Sequence, residues 1–216
     1  MVLTVNGEIY NHRELRQKLA GKYRFSTGSD CEVILALYQE KGMDFLEDLS
    51  GIFAFALYDS RSDRFLIARD PIGVIPLYIG YGDEGQVYVA SELKASRGSA
   101  RVMSFLPGHC YDSAEGRVRR WYRRSWTDYE AVSRSTEPES ALRPALCQAV
   151  ERQLMSDVPY GVLLSGGLDS SVISAIAARY AEHRIESGGS QRAWWPRLHS
   201  FAVGLEGAPD LAKPVR

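Results

Sequence analysis

Cysteine is scarce: the 216 residues hold three (Cys31, Cys110 and Cys147), widely spaced and without a CxxC pair. A disulfide-stapled scaffold is excluded, and reduced thiols in the cytoplasm are the simplest reading. The four histidines (His12, His109, His183 and His199) show no metal-ligand spacing and read as surface or satisfied core residues. An excess of one charge is missing too, with 26 basic residues against 27 acidic ones, a net charge of −1 and a pI near 6.4. Such a chain exerts no global pull on nucleic acid or an anionic membrane. Long hydrophobic runs are absent: residues 51–58 and 158–168 fall well short of the roughly 20 needed to span a bilayer. The opening Met1-Val-Leu-Thr-Val-Asn-Gly-Glu8 lacks the basic and long apolar regions of an export signal. What is there is 45% hydrophobic and 25% charged, the balance of a soluble globular protein with room for one large domain or two small ones.

Periodicity divides the chain in two. Residues 2–5 read as a strand already under way. Capping boxes at Asn11-His-Arg-Glu14 and Ser29-Asp-Cys-Glu32 predict two helices, the second carrying Val33, Ile34, Leu37 and Tyr38 and stopping at Gly42. A third short helix is expected around 43–49. Residues 52–58, apolar at both alternations, predict a strand covered on both faces, with a turn at 59–63 and a second strand at 64–68. Two further hairpins are expected from 77–80 with 86–90, and from 108–112 with 117–122. Helices beside antiparallel hairpins make a layered α+β domain over 1–125. A polar, turn-rich linker follows at 126–140. Beyond it come a helix over about 138–155, a strand at 158–164, a glycine turn at 165–167, a helix at 168–183 and a strand at 198–203. That order begins a parallel α/β sheet over 141–216, with too few helices to cover both its faces.

Ser165-Gly-Gly-Leu-Asp-Ser-Ser171 lies between an apolar strand and an apolar-faced helix. Successive N–H groups in such a turn form a nest for an anion, and two glycines admit a phosphate without a Cβ clash. The string lacks the lysine of a Walker loop and the spacing of GxGxxG. On spacing alone it reads either as a phosphate cradle or as an ordinary serine-capped turn. The longer string Pro159-Tyr-Gly-Val-Leu-Leu-Ser-Gly-Gly-Leu-Asp-Ser-Ser171, with Leu198-His-Ser-Phe-Ala-Val-Gly204 downstream, resembles the pyrophosphate loop and second strand of the ATP-pyrophosphatase superfamily. The resemblance implies that Leu163 and Val203 frame an adenine, that Ser165, Gly166, Gly167 and Ser170 hold the pyrophosphate end, and that Asp169 holds Mg2+.

Three polar clusters interrupt the first domain: Asn6-Gly-Glu-Ile-Tyr-Asn11, Gly28-Ser-Asp-Cys-Glu32 and Arg69-Asp-Pro-Ile-Gly-Val-Ile-Pro-Leu-Tyr78. Each alone reads as a cap, a turn or a buried salt bridge. In this order, ahead of the serine-glycine loop, they resemble glutamine-hydrolysing asparagine synthetases of the bacterial B type over nearly the whole chain. The resemblance implies a partial class II amidotransferase domain of the N-terminal-nucleophile hydrolase kind, followed by the beginning of an ATP-pyrophosphatase synthetase domain. Asn6, Gly7 and Glu8 would bind glutamine, and Asp30 its α-amino group, a sensible carboxylate–ammonium pair. Glutamine, aspartate and ATP would be the substrates, with Mg2+ beside the ATP, in a cytoplasmic carbon–nitrogen ligase of asparagine biosynthesis that allows a homodimer and uses neither nucleic acid nor membrane.

The family's nucleophile is an N-terminal cysteine, and this chain opens Met1-Val2. No catalytic residue is therefore assigned, and a chain cut at both ends and inactive by itself is the expectation. The alternatives are a ligase similar to β-lactam synthetases that has lost glutaminase activity, and a non-catalytic remnant acting by association. Arg117, Arg119, Arg120, Arg123 and Arg124 around Trp121 and Tyr122 read as one solvated hairpin face rather than a nucleic-acid clamp. Cys31 reads as a buried structural thiol, and Trp194-Trp195-Pro196 as packing or a lid over the second strand.

Overall fold

Met1–Ser135 and Thr136–Arg216 form two units in a computed structural model of the chain, which describes residues 1–134, 136, 138–156, 158–182, 192–193 and 197–204. The expectations for His183 and for Trp194-Trp195-Pro196 lie outside the described residues.

In the first unit β1 (Val2–Ile9) leads into α1 (His12–Lys18), α2 (Glu32–Lys41) and a 3₁₀ segment (Gly42–Asp48). β2 (Gly51–Asp59) and β3 (Arg64–Arg69) follow, then β4 (Tyr78–Tyr81), β5 (Val87–Ala90) and β6 (Arg101–Ser104), the hairpin β7 (His109–Asp112) and β8 (Arg117–Arg120), and α3 (Tyr129–Ser133). Hydrogen bonding orders them into two antiparallel sheets, β1-β2-β3-β7-β8 and β5-β4-β6. The double apolar alternation of β2 has its explanation in this layering. Phe53, Phe55 and Leu57 enter a core with Val33, Ile34 and Leu37 of α2 and with Phe45 and Leu46. Ala54 and Ala56 lie in a second core with Ile67, Leu77, Ile79 and Phe105, between the two sheets. Small residues on that side let the sheets approach, while the phenylalanines fill the wider gap to the helices.

Several local expectations are corrected by distant partners. The Asn11 side chain does not cap α1; its Nδ2 donates to Asp48 O at 2.8 Å and its Oδ1 accepts from Ser50 N at 3.0 Å. It ties the end of β1 to the start of β2. α2 begins at Glu32 behind Cys31, not behind Ser29, because the Glu32 carboxylate reaches back to Ser26 and Thr27 instead of closing a capping box. The third helix is 3₁₀. β6 was not expected: its residues are mostly exposed, and what makes it a strand is pairing with β4. α3 is a single capped turn, Asp128 Oδ1 accepting from Glu130 N.

In the second unit a 3₁₀ turn (Glu139–Ala141) opens α4 (Leu142–Arg152), followed by β9 (Gly161–Leu163), α5 (Leu168–Tyr180) and β10 (His199–Phe201). Pro144 is the third residue of α4, inside the first turn, where its missing N–H costs nothing. β9 and β10 are parallel, with Leu163 opposite Phe201. Val150, Ile176 and Ala177 form the core of this unit, with Leu146, Val162, Val172 and Leu198 packed around them.

Candidate functional site

β1 carries Asn6 and Glu8 on its exposed side and closes tightly on β2 at Gly7. Gly7 has φ +139°, and a Cβ there would stand 2.1 Å from Ile52 O, so only glycine fits. Asn6 Nδ2 donates to Ser91 Oγ at 3.4 Å, at the end of β5. Asp30, just before α2, comes to the same strand end. Its Oδ2 accepts from Ile9 N at 2.7 Å. Cys31 Sγ lies 3.7 Å from Gly7 O and 3.6 Å from Asp30 Oδ2. The tertiary structure thus seats Asp30 at the end of β1, on Ile9 N 21 residues earlier, beside the strand that carries Asn6, Gly7 and Glu8. Burial first, and the neighbouring Asp30 carboxylate second, push the Cys31 thiol up to about 12, away from the thiolate form.

The loop ahead of Asp30 is fixed by Glu32, expected as a capping residue, and by Arg16, which the sequence did not single out. Glu32, buried, accepts from Ser26 N (2.7 Å) and Oγ (3.0 Å) and from Thr27 N (2.8 Å) and Oγ1 (2.6 Å). Arg16 pairs with Glu32 at 3.6 Å, donates to Thr27 O and Ser29 O at 3.0 and 2.7 Å, and lies over the Phe25 ring. Burial, the largest influence, would raise the Glu32 carboxyl, but the four donors of Ser26 and Thr27 outweigh it and hold it down at about 2. The only sequence signal was the Glu32 of an expected capping box, which pointed to the wrong partners. Arg16 carries no local pattern at all.

The cluster at 69–78 is a structural device. Asp70, 1% exposed, accepts from the backbone N–H groups of Phe53, Ile72, Gly73, Val74 and Ile75. Arg69, also buried, donates to the carbonyls of Ile75, Phe105 and Gly73, and Trp121 Nε1 donates to Arg69 O. Charge-assisted bonds from one adjacent pair therefore satisfy most of an irregular loop.

In the second unit Ser165, Gly166 and Gly167 occupy the turn between β9 and α5, and Asp169 and Ser170 lie in the first turn of α5. Gly166 has φ +82°, and a Cβ on Gly167 would meet only Ser165 Oγ, at 3.6 Å, so the turn is open above its backbone. Ser170 Oγ accepts from Ser165 N at 3.2 Å and lies 3.0 Å from Ser165 Oγ. Ser171 Oγ donates to Gly167 O at 2.7 Å. Asp169 stands in the first turn of α5, whose leading N–H groups have no intrahelical acceptors. Leu163, at the end of β9, is 80% exposed, and Val203, two residues past β10, is 98% exposed. These residues fit a nucleotide phosphate chain by the chemistry of their donors. Among the described residues no group of His, Cys, Asp and Glu forms a metal cluster, so Asp169 stands as a single carboxylate.

Comparison with known proteins agrees with both halves. The glutamine amidotransferase domain family matches residues 1–113, and the asparagine synthase family matches residues 141–214. Asparagine synthetase B (glutamine-hydrolysing) of Escherichia coli K12 is 59% identical over 211 residues, 97% of this chain and 38% of its own length. A probable asparagine synthetase (glutamine-hydrolysing) of Dictyostelium discoideum is 49% identical over 218 residues, 98% of this chain and 39% of its own length. The chain thus spans about two fifths of these relatives. A solved structure of the allosteric regulatory enzyme of purine biosynthesis superposes with a TM-score of 0.50 and 26% identity, over 81% of this chain and 41% of that one. The first unit has the layered fold of N-terminal-nucleophile glutamine amidotransferases, the second matches the start of the asparagine synthase family, and the chain belongs to the glutamine amidotransferase domain family.

Proposed function

We propose that this chain supplies the glutamine-recognition strand and the nucleotide loop of a cytoplasmic asparagine synthetase, which uses ammonia from glutamine to amidate aspartate at the expense of ATP. The observation that carries the reading is the seating of Asp30 at the end of β1, the strand of Asn6, Gly7 and Glu8, by the Ile9 N–H to Asp30 bond of 2.7 Å. A carboxylate held there by a backbone donor offers a charge-assisted partner to the α-ammonium of glutamine. The Asn6 carboxamide carries a donor and an acceptor that match an amide substrate. Hydrolysis needs a thiolate, and neither Cys31 nor Cys110 is suited, since burial raises both thiols.

When bound, ATP would supply the adenylyl group that activates the aspartate carboxylate. Ser165, Ser170 and the backbone N–H groups of Gly166 and Gly167 would hold its phosphates, Asp169 a magnesium ion, and Leu163 and Val203 the adenine faces. The three free cysteines support a reducing compartment. Calorimetric titration tests both halves. L-Glutamine should bind the intact chain and lose at least tenfold in affinity on Asp30→Asn. Pyrophosphate with Mg2+ should bind weakly and weaken further on Asp169→Asn. A folded chain that binds neither would overturn the reading.

A further inference from the structure

We propose that Glu32 is a positioning residue for the glutamine site: with Arg16 it locks the 26–29 loop and so fixes the Asp30 carboxylate against β1. The inference rests on the glutamine reading for its substrate, but its geometry stands on its own. The loop contains no regular structure, and its backbone is held from within the unit by two side chains only one turn and one helix away. Glu32 takes both N–H groups and both hydroxyls of Ser26 and Thr27, four bonds on one carboxylate. Arg16, on α1, takes the carbonyls of Thr27 and Ser29 and pairs with Glu32 itself. Thr27 Oγ1 in turn accepts from Ser29 N at 3.2 Å, and Ser29 Oγ from Cys31 N at 3.3 Å. These bonds run without a break from Glu32 through the loop to both neighbours of Asp30. Asp30 itself accepts from the strand at Ile9 N, and the same carboxylate oxygen meets Cys31 Sγ at 3.6 Å. Release of the loop therefore leaves the Ile9 N–H bond and a long Cys31 contact to hold a carboxylate whose direction decides how an ammonium is met. The network is a side-chain and backbone assembly of the kind whose members act as a unit.

The geometry also says which change is informative. Glu32→Gln keeps the volume and one acceptor, but turns an NH2 group toward donors on one side of the loop, so half of the four bonds are lost. Arg16→Met removes the two carbonyl contacts and the ion pair while keeping an apolar stem beside Phe25. Both substitutions leave Asn6, Gly7, Glu8 and Asp30 themselves unaltered.

The test uses the full chain, labelled with 15N, and three variants: Glu32→Gln, Arg16→Met and Asp30→Asn, with thermal melting to confirm that each is folded. The Ile9 amide resonance reports the bond to Asp30 directly. It should move in Glu32→Gln and Arg16→Met at least halfway toward its position in Asp30→Asn. Titration with L-glutamine should then show about a tenfold loss of affinity, whereas glutaramate, which lacks the α-amino group, should change less than twofold. A general structural defect would weaken both ligands equally. An unmoved Ile9 amide in folded variants, or an equal loss for the two ligands, overturns the proposal. If the unaltered chain binds no glutamine but the Ile9 amide moves as stated, the glutamine reading fails while the positioning of Asp30 by Glu32 is upheld.

Discussion

Glu32 carries its charge through the whole ordinary range of pH, because the donors of Ser26 and Thr27 hold its carboxyl at about 2, against burial. A carboxyl lowered on folding stabilises the native state above its unfolded value, near 4.5, and that contribution disappears as pH falls toward the folded value. The melting temperature should accordingly fall between about pH 5 and pH 2, and the Glu32→Gln variant should show a shallower fall over the same window. Circular-dichroism melting of both proteins across that range measures the difference, which isolates Glu32 from other lowered carboxyls such as Asp112, beside Arg64. The cysteines behave oppositely. Burial raises the thiols of Cys31 and Cys110, whereas Cys147 is only half-buried. Iodoacetamide at pH 8 should label Cys147 first, with Cys31 and Cys110 modified only on unfolding, as peptide mass spectrometry would reveal. Rapid labelling of Cys31 in the folded chain would contradict its burial and its thiol near 12.

At the scale of elements, two contacts determine whether the site strand is held in place. Gly7 permits β1 and β2 to close, with Ile52 O only 2.1 Å from where a Cβ would stand and φ at +139°. Gly7→Ala must push the strands apart or bend them, and a loss of roughly 3 kcal/mol or more is expected from backbone strain and broken pairing. Urea unfolding followed by circular dichroism gives the value; a loss under about 1 kcal/mol would show that the strands can yield. Asp70 does for the 72–75 loop what Glu32 does for the loop before α2, taking four of its N–H groups as well as that of Phe53. Asp70→Asn replaces an acceptor by a donor in a site made of donors and should cost about 2–3 kcal/mol. The same unfolding experiment reads it, and because Phe53 is a β2 residue, the loss should be accompanied by faster amide exchange along that strand.

The two units are unequally built. The first has two cores with Phe45, Phe53, Phe55 and Phe105 each at most 2% exposed. The described part of the second has Val150, Ile176 and Ala177 at its centre, while Leu163, Leu168 and Val203 are about four-fifths exposed or more. Buried apolar area sets most of the resistance to opening. Hydrogen exchange should therefore be slowest along β2 and β3 and should proceed first through β9 and β10. Slower exchange in β9 than in β2 would mean that the unequal cores do not govern the stability of the two units.

Some of this was legible in the sequence because its causes are local. The double alternation of β2 announced a strand with two covered faces, and the periodic Val33, Ile34, Leu37 and Tyr38 announced the buried face of α2. The serine-glycine loop lies where its flanking strand and helix put it, within a few residues of its own sequence. Other features depended on partners that a local window does not contain. Asn11 serves residues 37 and 39 positions away rather than its own helix, and β6 is a strand because β4 lies beside it. Glu32 reads locally as a capping residue, and only the return of the chain past Ser26 and Thr27 offers it four better donors. The order β1-β2-β3-β7-β8 likewise places β7 against β3 across an entire second sheet in sequence. By itself, then, the amino-acid sequence determined which segments are helices and strands wherever apolar periodicity is strong, and where the polar clusters and the serine-glycine loop fall among them. The tertiary structure alone decided that Asp30 comes to the end of β1, because a backbone N–H at Ile9 and a loop closed by Arg16 and Glu32 are satisfied only when the distant pieces come together.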